Sequence, residues 1–289
     1  MSEQTWHLAP GVITLAATPI GNPQDASERL RIALAEADLI AAEDTRRLRA
    51  LASRLGVEVK AQVTASHDHN EREKAPWLVE RAQAGERVLV VSDAGMPTVS
   101  DPGFPVVEVA RAAGVGVTVL PGPSAPLAAL ALSGISPARF SFEGFVARKS
   151  GPRRQAFAEL ARAQRTLIFF ESPRRLAETL ADAAAVFGPS REAAVCRELT
   201  KDHEDVWRGT LADLAERARD GVLGEIVLVI APAEPTEADP ATLAADALEL
   251  AADGVRLKDA ARQVAQAAGA RPREVFEAAL ALKSSRETQ

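Results

Sequence analysis

The 289-residue sequence contains one cysteine, Cys196. A single thiol can form no internal disulfide and no thiolate metal cluster. The chain is therefore expected in a reducing, cytoplasmic compartment. Long apolar runs are also missing, and none approaches the roughly 20 residues a membrane helix needs. The opening Met-Ser-Glu-Gln-Thr-Trp-His has no basic patch ahead of an apolar core, so no signal peptide is expected. Net positive charge is lacking as well. The formal charge is −6 and the pI is near 5.4, which speaks against a protein that coats nucleic acid. Lysine is scarce, with six Lys among the 34 basic residues. Arg supplies the rest, and its planar fork suits phosphate. The stretch Ser92–Gly103 is neither familiar nucleotide loop, since it lacks Gly-x-Gly-x-x-Gly and a Lys-Ser/Thr ending.

Hydrophobic residues at 47% and charged residues at 26% are ordinary for a soluble globular protein. The length suggests about two domains with sizeable cores. Positive charge is concentrated between Arg139 and Arg175, where nine Arg or Lys face three Glu.

The most informative stretch runs from Val88 to Gly103. Val88–Val91 is apolar without alternation, as in a strand buried on both faces. Ser92–Gly103 then holds two Gly, two Pro, two Ser and two Asp, a stiff bend with Asp-capped turns. A helix follows from Phe104. In open α/β sheets such a loop borders the ligand crevice. Two carboxylates make a poor phosphate cradle and point to a neutral or cationic ligand. The plain alternative is a connecting loop with Asx turns.

Further strands are expected at 12–17, 38–42, 57–65 and 115–120, each followed by a helix. This alternation predicts a largely parallel α/β sheet. Four of its strands end in loops rich in Gly, Pro, Ser or Asp. Later strands at 166–170, 191–199, 204–209 and 224–230 predict a second α/β domain with some antiparallel pairing. Residues 231–240 read as a linker. Helices at 241–252, 258–267 and 271–283 follow. The last two resemble a helix-turn-helix with Gly269 at the bend, although a plain three-helix packing unit fits equally well. The expected domains are residues 1–123, 124–231 and a helical extension at 240–284.

Seven short stretches then line up in order. They are Thr18–Asn22, Ala42–Arg46, Ser92–Gly103, Pro121–Ala125, Phe170–Arg174, Arg197–Lys201 and Gly224-Glu225. Each alone is weak, but together they resemble the tetrapyrrole-methylase superfamily, and within it the branch that methylates small-subunit ribosomal RNA. The resemblance covers residues 12–231, and the C-terminal helices are similar to that branch's tail. It implies a two-domain fold that is not Rossmann-like, with S-adenosylmethionine in the cleft between the domains. It also implies methylation of the ribose 2′-hydroxyl of a cytidine in the decoding centre of 16S rRNA, and a homodimer.

On this resemblance the cofactor set is Pro19, Ser92, Asp93, Ala94, Val99, Ser100, Ser124, Ala125, Phe170, Leu199 and Glu225. The sulfonium is a cation, and Asp93 and Asp101 would offer it oxygens. Turn capping is the alternative role for both. A ribose hydroxyl is a poor acid, so a general base would help. Asp44 is the first candidate, then Glu43, with Asp25 behind them. Lys201 is another if a nearby cation depresses its pKa. Against Asp44 and Glu43 stands a plain ion pair to Arg46 or Arg47. Arg46, Arg47, Arg148, Arg153, Arg154, Arg174 and Arg175 form the expected RNA-phosphate set, each alternatively a solvated surface Arg. His67 and His69 would share one strand face, and a metal there lacks a third ligand. His69 and Asn70 are expected to border the substrate cleft. Two rivals remain: a methylase of a small tetrapyrrole on the same fold, and a non-enzymatic nucleic-acid-binding regulator led by the C-terminal helices.

Overall fold

Val12–Ala16 (β1), Leu39–Ala42 (β2), Gln62–Ala65 (β3), Val88–Val91 (β4) and Gly116–Leu120 (β5) form one sheet in the order β3-β2-β4-β1-β5. They belong to a computed structural model that describes residues 6–234, 240–268 and 270–287. All four pairings are parallel. A parallel sheet needs cover on both faces, which explains the unbroken apolar run of β4. Alternate residues of β4 point to opposite faces. Leu89 and Val91 join Leu30, Leu34 and Leu48 from helices α1 (Glu28–Glu36) and α2 (Thr45–Leu55). Val88 and Val90 join Leu78, Val79 and Val106 from α3 (Glu71–Gln83) and α4 (Phe104–Ala112). Each such Leu or Val contributes roughly 1.5–3 kcal/mol by leaving water.

The strand expected at 57–65 begins only at Gln62. His67 and His69 consequently lie in the turn beyond β3 and share no strand face. In contrast, α2 starts earlier than its apolar pattern suggests. Asp44 caps it by accepting a hydrogen bond from Arg46 N.

Phe140–Phe145 (β6), Thr166–Glu171 (β7), Glu192–Arg197 (β8), Asp205–Thr210 (β9) and Ile226–Ile230 (β10) form the second sheet, ordered β6-β7-β10-β8-β9. β6 runs parallel to β7, and the remaining pairs are antiparallel. The expected hairpin is β8–β9, in register from Glu192 opposite Thr210 to Arg197 opposite Asp205. The Phe-rich stretch at 140–145 had no assigned element in the sequence reading and proves to be an edge strand with a register shift. Helix α5 (Ala125–Ser133) follows β5 yet packs on the second sheet, where Ala129 and Leu130 meet Ile168, Ala194 and Cys196. Helices α6 (Ser150–Leu160), α7 (Leu176–Phe187) and α8 (Leu211–Arg217) complete this half.

The loops after β1, β4 and β5 leave neighbouring strands at one sheet edge. Thr18 and Gly95 exchange backbone hydrogen bonds of 2.9 and 3.0 Å, tying the first loop to the second. The β1 loop also meets the second half directly. Asn22 N donates to Thr200 Oγ1 at 3.1 Å. A Cβ at Gly21 would lie 3.0 Å from Leu199 O and closer still to Thr200 and Lys201, so the contact requires glycine.

Both sheets belong to one compact unit, residues 1–161 with 165–231. A second unit comprises residues 162–164 and 232–289. Within it α9 (Pro240–Ala252), α10 (Leu257–Ala268) and α11 (Pro272–Glu287) pack around Leu243, Ala247, Ala261, Ala265, Val275 and Ala279. The bend expected at Gly269, linker residues 235–239 and the first five residues lie outside the described residues. Among the described residues no helix is long and apolar enough to cross a membrane.

Candidate active site

Within the first unit, the bend after β4 forms one wall of a cavity of about 360 Å³ through Ala94, Gly95, Met96, Val99, Ser100 and Asp101. Small-molecule sites typically occupy about 300–1,000 Å³. Ser124, Ala125 and Pro126 at the start of α5 form a second wall. Phe145, Phe170 to Pro173 and Gly224 to Val227 close it from the second sheet. The cavity therefore lies beyond the carboxyl ends of β1 and β4, where open α/β sheets bind ligands.

The wall is held in a strained shape. Thr98 and Ser100 have positive φ, 75° and 62°. Non-glycine residues there cost roughly 1–3 kcal/mol each and need support from their surroundings. That support includes a hydrogen bond from Thr98 N to Pro102 O at 3.2 Å and one from Gly103 N to Glu71 Oε2 at 2.7 Å. Gly103 itself sits at φ 130°, a conformation side chains rarely adopt.

The wall carries no Lys, Arg or His, but three carboxylates line it: Asp101, Glu171 and Glu225. They differ in what they already hold. Glu171 has a side chain 0% exposed and pairs with Arg175 at 2.5 Å. It also accepts from Thr179 Oγ1 and from Ser172 N. Glu225 is 75% exposed and bonds Lys201 Nζ at 3.1 Å. Asp101 has no hydrogen-bond or ion-pair partner among the described residues. Burial first, and then the negative charges of Glu43, Asp93 and Asp68, push its carboxyl up to about 7.

The remaining expected residues fall into distinct places. Ala94, Val99, Ser100, Ser124, Ala125, Phe170 and Glu225 lie on the cavity wall. Pro19, Ser92 and Leu199 are buried beside it and do not line it. Ser92 is a turn residue, donating to Gly95 O and accepting from Thr18 Oγ1. Asp93 is also off the wall. Its Oδ1 accepts from Asp44 N at 3.0 Å and its Oδ2 pairs with Arg47 at 3.3 Å. It ties the loop after β4 to the start of α2, a role neither the sulfonium contact nor the turn cap describes.

Two of the expected bases are already occupied. Asp44 caps α2 and pairs with Arg46 at 2.8 Å. Those hydrogen bonds hold its carboxyl far below the usual range, so it is a poor proton acceptor. Lys201 bonds Glu198 at 2.8 Å as well as Glu225. Burial opposes its charge, but the two carboxylates outweigh burial and raise its pKa, the reverse of the expected depression. Glu43 lies behind the wall, where Oε2 accepts from Asp93 N at 3.1 Å. Burial raises its pKa despite that bond. Asp25 is exposed in the short helical turn Pro23–Asp25.

Arg153 is the clearest departure among the expected phosphate ligands. Its side chain is 1% exposed and bonds Asp182, itself 13% exposed, at 2.6 Å. A guanidinium so buried cannot meet a phosphate at the surface. Arg175 is spent on Glu171, and Arg46 and Arg47 on Asp44 and Asp93. Arg148 and Arg174 are exposed, and Arg154 lies 4.0 Å from Asp182. His69 is exposed, while Asn70 accepts from His67 N at 2.9 Å. No group of three metal-ligating side chains occurs among the described residues.

The sequence reading missed Ile20, Met96, Phe145 and Ile226 as wall residues. They read as core or loop, and only the meeting of the two sheets turns them towards one space. Asp101 reads in sequence as a sulfonium contact or a turn cap, because its lack of a partner is not visible there.

A family model described as tetrapyrrole (corrin/porphyrin) methylases matches residues 12–215. A Mycobacterium tuberculosis protein named ribosomal RNA small subunit methyltransferase I is 50% identical over 282 residues, 97% of this chain and 98% of its own. Among solved structures, the methyltransferase CobJ superposes with a TM-score of 0.59 at 22% identity, over 77% of this chain and 95% of its own. Uroporphyrin-III C-methyltransferase from Thermus thermophilus, complexed with S-adenyl homocysteine, gives 0.55 at 19% identity over 76% and 97%. At these identities the structures speak for the fold alone.

Proposed function

This chain belongs to the tetrapyrrole methylase family, and from that we propose that it methylates small-subunit ribosomal RNA with S-adenosylmethionine as donor. The observation that carries the reading is the charge of the cavity wall, which has three carboxylates and no cationic side chain. Such a wall suits a donor bearing a sulfonium and an ammonium. The apolar flanks of Ile20, Val99, Phe170 and Val227 suit its nucleoside. When bound, the donor supplies an activated methyl group for in-line displacement. The wall's part is to hold oxygen, carbon and sulfur in register, which can supply much of the rate. The donor loses its charge in the transition state, so a wall that gripped the cation too tightly would slow transfer.

The acceptor in this reading is the ribose 2′-hydroxyl of a cytidine in the decoding centre of 16S rRNA. RNA supports it better than a small tetrapyrrole does, because the relative similar over nearly the whole chain is named for ribosomal RNA. Exposed Arg148 and Arg174, together with Arg154 at 4.0 Å from Asp182, are the phosphate contacts that remain after buried Arg153 and the more closely paired arginines are set aside. Phe145, 62% exposed at the cavity rim, offers a ring on which a splayed base can stack. The chain acts in the cytoplasm, where small subunits are assembled.

A homodimer belongs to this reading too. Edge strand β5 exposes Val117 and Val119, α5 exposes Leu127 and Leu132, and edge strand β6 exposes Phe140. Exposed apolar side chains along sheet edges are normally covered by a partner.

The test supplies labelled S-adenosylmethionine together with small ribosomal subunits from cells lacking this gene, or with free uroporphyrinogen. Mass spectrometry of the RNA fragments then locates the label. Label on one cytidine ribose is the expected result. Label on the tetrapyrrole, or on neither, defeats the reading.

A further inference from the structure

We propose that Asp101 is the catalytic proton acceptor, taking the proton of the ribose hydroxyl as the methyl group arrives. This deepens the reading just given and rests on it. As the new oxygen–methyl bond forms, the methyl–sulfur bond breaks and sulfur keeps that electron pair. The hydroxyl proton passes to an Asp101 carboxylate oxygen, and the charges balance.

The assignment follows from the state of the carboxylates around the cavity. A general base must reach the reacting group with a free lone pair. Glu171 is fully enclosed and spends its oxygens on Thr179, Arg175 and Ser172. Glu225 is largely solvated and tied to Lys201. Asp44, Asp93 and Glu43 lie off the wall and are committed to backbone amides, with arginines on the first two. Only Asp101 lines the cavity with its carboxylate unspent among the described residues. It also stands beside Ser100 on the segment held at positive φ.

Its surroundings match the task. Glu43 at the end of β2, Asp68 after β3 and Asp93 after β4 present negative charge to it. Arg47, whose charge acts on Glu43, is paired with Asp93. Glu171 and Glu225 share its cavity wall. Burial together with these charges raises Asp101 to about 7, which makes it a stronger base than an ordinary aspartate, ionised above that pH. The bound cation will lower that value. The wild-type kcat/KM, which reports the free enzyme, should therefore rise with pH and level off above about 7.

The test is single-turnover methylation of small subunits by the full chain and by Asp101→Asn at saturating S-adenosylmethionine. Calorimetry of cofactor binding accompanies it. At saturating cofactor the variant should lose about a hundredfold or more in rate, a loss larger than any fall in its cofactor affinity. Its pH limb near neutrality should vanish.

A second readout needs no activity. The folded chain keeps the Asp101 proton up to about 7, whereas an unfolded chain releases it near the ordinary value of about 3.9. Folded protein thus holds the extra proton across that window, and its stability falls as pH rises through it. The cofactor-free wild type should lose melting temperature relative to Asp101→Asn between about pH 5 and about pH 8.

An active wild type with an equally active Asp101→Asn overturns the proposal alone. So does a variant whose loss is confined to cofactor affinity, since Asp101 would then be a cation contact. A wild-type kcat/KM that stays flat with pH, or a melting-temperature gap that does not move, overturns it without the variant's turnover. A wild type that methylates no subunit defeats the parent reading, visibly and separately.

Discussion

Arg153 shows how one residue can mislead in sequence. It lies in the most basic segment, yet the structure buries it against Asp182 at 2.6 Å. Removing one member of such a pair leaves the other charge without compensation, which typically costs about 3–5 kcal/mol. Arg153→Ala should therefore lower the melting temperature markedly. It should leave the salt dependence of subunit binding unchanged when measured well below melting. Arg148→Glu should do the opposite, weakening binding and flattening its salt slope with little effect on stability. If Arg153→Ala shifted the salt slope and not the melting curve, the burial account of that residue would be wrong. Asp93 teaches the same lesson from the acid side. Its place in the bend was legible, but its commitment to Asp44 N and Arg47 was not. Hydrogen-bond partners 49 residues apart leave no local mark.

Among elements, the strands and helices of the first sheet could be read from apolar runs and caps. Ser27 does cap α1, accepting from Leu30 N. The failures have physical causes. Val57–Lys60 carries alternating apolar residues, yet β-pairing starts at Gln62, because only Gln62–Ala65 has a partner register on β2. β6 was invisible because its aromatic residues sit on a sheet edge, half out of the core. The loop between β1 and α1 reads as one of the seven motifs, with nothing in it to mark a packing contact. Its role is to meet the loop after β8 at van der Waals distance. Gly21→Ala would press a Cβ to 3.0 Å from Leu199 O and 2.7 Å from Thr200 Oγ1. Overpacking of this kind costs about 1–3 kcal/mol. The variant should melt earlier and bind the methyl donor more weakly, because Ile20 on the same loop lines the cavity. Unchanged melting and donor binding would show that this contact holds nothing in place.

For the molecule as a whole, composition and site point in different directions. A net charge of −6 argues against nucleic acid, while the exposed arginines and the likeness to a protein named for ribosomal RNA argue for it. The two proposed roles fall on different residues of the first unit. Acidic side chains collect on and behind the cavity wall at Glu43, Asp93, Asp101 and Glu225. Exposed Arg148 and Arg174 stand elsewhere, off that wall. An acidic chain can thus carry a cation-holding cavity and a phosphate-facing surface together. What the sequence made legible was the ordered motif set and the bend after β4. What it could not supply was the contribution of Phe145 and Ile226, which come from strands that no spacing rule aligns.

The central claim is that this cavity holds the cationic methyl donor. Calorimetric titration of S-adenosylmethionine into the wild type and into Ala125→Trp, which fills the space beside Ser124 and Pro126, tests it most directly. The account predicts one donor bound per wild-type chain, and loss of binding in a variant that still melts as a folded protein. Equal binding by the two proteins, or none by the wild type, would contradict it.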